Sequence, residues 1–220
     1  MRRVILGSSI VVALLAGGLR SPVFAENKED GQPMPTNEAQ SKPVPRQRRV
    51  LVAYFSHTGN TRELARQIHE AVGGDLFEIQ PEKPYPDEYN AVVQQAKVEL
   101  QSDYKPKLKT RVKNMESYDV VFIGSPNWWN TVAGPVRAFL SEYDMSGKTI
   151  VPFMTHGGNG LGRSVKDVSK LCPKSTVLEG LAILGTEVKT SQDQVADWLR
   201  KLKIPESRDH ISGGSPAGAR

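Results

Sequence analysis

The chain has 220 residues, with 29 lysines and arginines against 24 aspartates and glutamates and a formal net charge of +5. Residues 50–204 carry 19 basic and 18 acidic side chains, so the isoelectric point near 9.3 belongs to the two ends and is no nucleic-acid footprint. The single cysteine, Cys172, excludes an internal disulfide and a multi-cysteine metal or iron–sulfur centre, and reads as a small buried hydrophobe at a helix end.

Residues 1–25 combine Arg2 and Arg3, an apolar centre over 4–19 and small residues at Val23 and Ala25, the pattern of a cleavable signal peptide. The centre is shorter than the ~20 residues of a membrane span, and no stable span is expected after cleavage. The protein is therefore expected to be exported, periplasmic or secreted. Arg2-Arg3-Val4-Ile5-Leu6 resembles a twin-arginine export motif; an ordinary export signal with two arginines is the alternative. Residues 26–49 contain Pro33, Pro35, Pro43 and Pro45 with no apolar periodicity and read as a disordered linker. Residues 205–220, rich in glycine, serine and proline, read as a disordered tail.

The domain lies between, over 50–204. Residues 50–55 (Val-Leu-Val-Ala-Tyr-Phe) form a buried strand. Ser56, His57, Thr58, Gly59, Asn60 and Thr61 make a tight polar turn, and helical spacing runs over 61–72 to Gly73-Gly74. Such a turn offers free N–H groups and the positive end of a helix dipole, which suits a phosphate. A short strand over 75–79 follows, then a proline-punctuated loop over 81–86 and a helix over 87–103. A basic connector, 105–113, leads to a strand over 120–123 closed by Gly124-Ser-Pro. A helix over 132–143, a strand over 149–154, a helix over 164–171, a strand over 176–183 and a helix over 191–202 complete the pattern.

Five strands alternating with five helices, the strands being continuous apolar runs, imply a parallel sheet covered on both faces. Three strands end in small polar segments, 56–61, 125–131 and 155–162. In an open α/β sheet ligands lie beyond the carboxyl ends of the strands, so these three segments should gather there.

Ser56-His-Thr-Gly-Asn-Thr61 fits the pattern Ser/Thr-x-Thr-Gly-x-Thr, which wraps the phosphate of flavin mononucleotide (FMN) in the flavodoxins. With Tyr118-Asp-Val-Val-Phe-Ile-Gly-Ser-Pro-Asn-Trp-Trp129, Gly147-Lys-Thr-Ile-Val-Pro-Phe153 and Gly158-Asn-Gly-Leu-Gly-Arg-Ser164, it makes nearly all of 50–202 resemble that family. Leu171-Cys-Pro and Thr176-Val-Leu-Glu-Gly-Leu-Ala182 extend the match. The resemblance implies an α/β, flavodoxin-like, three-layer doubly wound fold with a five-stranded parallel sheet in the order 2-1-3-4-5. It implies the short-chain form, with one uninterrupted last strand. It also implies non-covalent FMN and electron transfer to a redox partner protein or small electron acceptor, as a carrier or small FMN-dependent reductase. An NAD(P)H-dependent quinone reductase and a flavin-free binding module are the alternatives.

On this reading the hydroxyls of Ser56, Thr58 and Thr61 and the N–H groups of Gly59 and Asn60 meet the phosphate; the alternative is a plain capped strand–helix turn. His57, at the variable position, is expected to point outward. Of Trp128 and Trp129, one should pack beneath its loop and the other lie against the flavin ring, with Pro126, Asn127, Asn130 and Thr131 shaping the same wall. Thr155, His156, Gly157, Gly158 and Gly160 should let backbone pass close to the ring. No carboxylate is fixed beside His156 in sequence, which favours ring contact or solvent exposure over acid–base work. There is no Ser/His/Asp set, no paired carboxylates and no metal-ligand spacing, so no catalytic side chain is expected and the chemistry is the flavin's. The three segments lack Asp and Glu and Arg163 follows them, which implies a less negative flavin potential than in acidic relatives. The 125–131 segment also lacks a glycine, and Asn127 or Asn130 is expected to supply positive φ in its place.

Overall fold

The computed structural model describes residues 48–202. The expected signal peptide, the tail and all but the last two residues of the expected linker lie outside them. Arg49, assigned to that linker, belongs to the domain: its N–H donates to Asp119 Oδ2 at 2.9 Å, its Nη1 donates to Ser117 Oγ, and its guanidinium lies 5.0 Å from the Tyr118 ring centre.

Strand β1 (Val50–Tyr54) is buried along its whole length. It pairs in parallel with β2 (Asp75–Glu78) on one side and β3 (Val120–Trp128) on the other. β3 pairs in parallel with β5 (Thr149–His156) and, through a tight hairpin, antiparallel with the two-residue β4 (Thr131–Val132). β6 (Thr176–Val177) and β7 (Leu181–Leu184) share the outer edge of β5. Counting that shared edge as one position and β4 as an appendage of β3, the sheet has the expected order.

The period of two along each strand sorts the core into two faces. Val50, Val52, Tyr54, Phe122, Val151 and Phe153 pack against α1 (Asn60–Val72) and α5 (Gln192–Leu202) through Leu64, Ile68, Val195 and Trp198. Leu51, Ala53, Phe55, Val121, Ile123 and Met154 face the other way. They meet Val92 of α2 (Tyr89–Gln101), Val136, Phe139 and Leu140 of α3 (Gly134–Glu142), and Val168 of α4 (Ser164–Leu171). Gly124 admits this packing because it has no side chain: a Cβ there would lie 2.2 Å from the Phe153 ring.

The departures from expectation have local causes. β3 runs past residue 123 to Trp128 because Ser125 and Pro126 find partners in Met154 and Thr155, so Pro126, Asn127 and Trp128 are strand residues. α3 starts at Gly134, with Pro135 in its first turn and Val132 taken by β4. The last strand is not continuous. Leu178 N donates to Ile150 O, but the next rung would need an N–H from Pro152, which has none. The chain leaves the ladder over 178–180 and rejoins as β7. Cys172 is buried at the end of α4, and burial pushes its thiol up to about 11.

Candidate functional site

The turn after β1 exposes the start of α1. Gly59 stands at its N-cap with φ 93°, and no side chain caps the helix. The hydroxyl that could have done so, Ser56 Oγ, instead accepts from Gly59 N at 3.1 Å. The first helical bond is Glu63 N to Gly59 O at 3.0 Å, which leaves the N–H groups of Asn60, Thr61 and Arg62 as the unpaired donors of the first turn. A plain capped turn is therefore not what the chain builds here. Thr58 is exposed, whereas Thr61 is buried and its Oγ1 lies 2.8 Å from Thr155 Oγ1. That contact ties the first segment to the third.

His57 departs from its expected outward orientation. Its Nε2–H donates to Pro86 O at 2.9 Å, and its ring lies 5.9 Å from that of Trp128, edge-on. Trp128 also meets Phe55 at 5.5 Å and Tyr85 at 4.9 Å between ring centres. It is the tryptophan that packs beneath. Trp129 remains 42% exposed; its Nε1–H donates to Val93 O of α2 at 3.0 Å, and Lys97 Nζ lies 5.3 Å from its ring centre. The two residues between β3 and β4, Trp129 at φ 54° and Asn130 at φ 64°, both adopt left-handed backbone, as a type I′ hairpin turn requires. Asn130 thus takes the positive φ expected of it and Asn127 does not; tryptophan is an uncommon residue to hold there.

The second and third segments also meet directly. Asn127 Nδ2 donates to Gly160 O at 2.7 Å, and Arg163 N donates to Asn130 O at 2.8 Å. Asn127 Oδ1 is buried with no partner among the described residues. His156 closes β5, its Nδ1 accepting from Gly158 N at 3.0 Å, which puts the ring proton on Nε2. Gly59, Gly157, Gly158 and Gly160 share one property: a Cβ at any of them would have nothing within 4 Å. The rim of the sheet is lined by backbone facing open space.

Thr131 does not join the wall as expected. It is buried, and its hydroxyl donates to Asp167 Oδ2 at 2.7 Å. Asp167 also accepts from Arg163 Nε at 2.8 Å. Arg163 is therefore not the uncompensated charge expected beside the three segments, because Asp167, one helical turn on, pairs with it.

Sequence reading missed Phe55 and Tyr85 as partners of Trp128, and Glu99. Tyr85 OH donates to buried Glu99 Oε2 at 2.5 Å, and burial together with that hydrogen bond holds the phenol above its ordinary pKa. Tyr85 sits in the proline-rich loop, where no periodicity marks a residue as core. A cleft of about 350 Å³ adjoins this cluster, lined by Ser56, His57, Ile79, Tyr85 and Lys109 among others. No group of three or more His, Cys, Asp or Glu among the described residues could hold a metal ion.

A family model described as flavodoxin matches residues 49–202. A candidate flavoprotein of known structure from Bacteroides eggerthii is 34% identical, covering 72% of this chain and 100% of its own, with a TM-score of 0.65. A second, from Bacteroides uniformis, is 31% identical over 70% of this chain and 98% of its own, with a TM-score of 0.63. A flavoprotein from Lactobacillus acidophilus, solved in complex with FMN, is 21% identical over 66% of this chain and 98% of its own; its TM-score of 0.56 marks a likeness of fold. Comparison with curated proteins finds no match.

Proposed function

Since this chain belongs to the flavodoxin family, we propose that it binds FMN without a covalent bond and passes electrons as an exported carrier or small FMN-dependent reductase. The observation that carries this reading is the uncapped start of α1 at Gly59, set among glycine backbone with open space before it. Free N–H groups and a helix dipole favour an anion there. The unpartnered Asn127 Oδ1 suits a ligand bearing an N–H donor. The bound flavin would supply the one- and two-electron chemistry.

The chain's residues do the rest. Asn60, Thr61 and Arg62 offer backbone N–H groups to the phosphate, with Thr58 beside them. The exposed indole of Trp129 gives an apolar platform, and Trp128 supports the wall through Phe55, Tyr85 and His57. Gly157, Gly158 and Gly160 leave room for the ring to approach backbone. Export rests on the sequence of residues 1–25.

The test is the absorption spectrum of the protein purified from the envelope of its own cells, followed by denaturation and identification of what is released. A flavin spectrum and released FMN are expected. Colourless protein that takes up no FMN would leave a binding module that keeps only the fold. The cleft beside Ser56 and His57 favours a second reading, a reductase that also seats a small co-substrate. Rapid NADPH oxidation with a quinone acceptor would select it.

A further inference from the structure

A cation stands at the aromatic platform that the flavin reading assigns to the ring. Lys97 is exposed on α2, and its Nζ lies over the Trp129 indole, 5.3 Å from the ring centre. That is inside the ~6 Å reach of a cation–π contact. The indole is itself held in place. Its backbone takes the left-handed turn at φ 54°, and its Nε1–H donates to Val93 O, one helical turn before Lys97. The ring stays part-exposed, so it keeps surface for a planar ligand. The residues one turn to either side of Lys97 on α2, Val93, Gln94, Leu100 and Gln101, carry no charge. Lys97 pairs with no carboxylate among the described residues. Arg163, by contrast, is paired with Asp167 at 2.8 Å.

We propose that Lys97, acting through Trp129, favours the reduced flavin over the oxidised one and makes its potential less negative; the proposal rests on the flavin reading above. On reduction the ring takes up two electrons and, near neutral pH, one proton, so it gains one negative charge. An ammonium held at the indole attracts that charge. It also draws on the π density of the indole, which makes the indole a poorer partner for the electron-poor oxidised ring. Both effects have the same sign. The phosphate of FMN is the same in the two states, so any attraction of Lys97 to it cancels from the ratio of their affinities. Glu78, Glu82 and Asp87 line the cleft beside Ser56 and His57 and act against the reduced ring, Glu78 being paired with Arg62 at 2.6 Å. They are common to every Lys97 variant, so comparing the variants isolates the lysine.

The test uses the full-length protein loaded with FMN. Xanthine and xanthine oxidase reduce it in equilibrium with a dye of known potential, and absorbance reads the flavin. Fluorescence titration of the flavin-free protein gives the affinity for oxidised FMN, and the two together give the affinity for reduced FMN. Lys97→Gln should lower the preference for reduced over oxidised FMN about fivefold. For a two-electron couple that is a fall of about 20 mV. Oxidised FMN should bind as tightly as in wild type. Lys97→Glu should lower the preference further, and Lys97→Arg should match wild type. In a Trp129→Asn background Lys97→Gln should have less than half its effect, because nothing then holds the ammonium at the ring. Lys201→Gln, on α5 across the sheet, should leave the preference unchanged. An unchanged preference in Lys97→Gln, or an equal fall in Lys201→Gln, would overturn the proposal. Equal loss of affinity for both forms in Lys97→Gln would also overturn it, leaving Lys97 as a support for the indole alone. Wild-type protein that holds no FMN would overturn the flavin reading itself, and the proposal with it.

Discussion

Glycines serve opposite purposes in the scaffold and at the rim. A Cβ on Gly124 would fall 2.2 Å from the Phe153 ring, and one on Gly74 would fall 2.3 Å from Val50 O. A Cβ on Gly59, Gly157, Gly158 or Gly160 would meet nothing within 4 Å. The first pair is small because the protein's own atoms press on it. In the second group positive φ calls for glycine at Gly59, Gly158 and Gly160, whereas at Gly157 neither packing nor backbone does.

The largest effect should come from the scaffold. Gly124→Ala drives a methyl group into a phenylalanine ring between two central strands, and urea unfolding should show a loss of about 3 kcal/mol. An unchanged midpoint would mean that the core yields there and would blur the contrast.

The two tryptophans sharpen it. Trp128→Ala removes a ring wedged among Phe55, Tyr85 and His57 and should cost about 2–3 kcal/mol of stability. Trp129→Asn loses an exposed ring but gains a residue suited to φ 54°, so stability should stay within about 1 kcal/mol while FMN affinity falls about tenfold. Fluorescence titration and thermal melts on both variants separate the two roles.

Gly157→Ala is the rim counterpart of the scaffold change. Gly157 does not hold positive φ and has open space around it, so the variant should melt with wild type while binding FMN several-fold more weakly. Equal affinity would remove Gly157 from the site.

Last comes a surface pair that belongs to neither region. Hydrogen bonds from Arg66 and Gln67 hold the Glu63 carboxyl down at about 2, against an ordinary 4.5. The folded state releases this proton more readily, so the contribution is present above pH 4.5 and fades as pH falls toward 2. Solvent screens the pair, so the effect is small. Urea midpoints at pH 5 and pH 3 should converge slightly between wild type and Glu63→Gln.

Much of this was legible in the sequence because it is local. Apolar runs, the polar turn at 56–61 and the glycines at 157, 158 and 160 point to three strand ends that gather at one edge. What sequence could not give was pairing between distant segments. Nothing local says that Pro152 will break a ladder in a later strand, that β3 will continue to Trp128 because Thr155 lies beside Pro126, or that the Thr131 hydroxyl will go to Asp167. Tyr85 was hidden because its partners, Trp128 and Glu99, belong to a distant strand end and to the far end of the helix that follows its loop.

The central claim is that the start of α1 holds the phosphate of the flavin. Titrating the flavin-free protein with FMN and with riboflavin, by quenching of tryptophan fluorescence, tests it most directly. FMN should bind at least about a hundredfold more tightly, since the phosphate gains charge-assisted hydrogen bonds that riboflavin lacks. Equal affinity for the two, or binding of neither, would contradict the account.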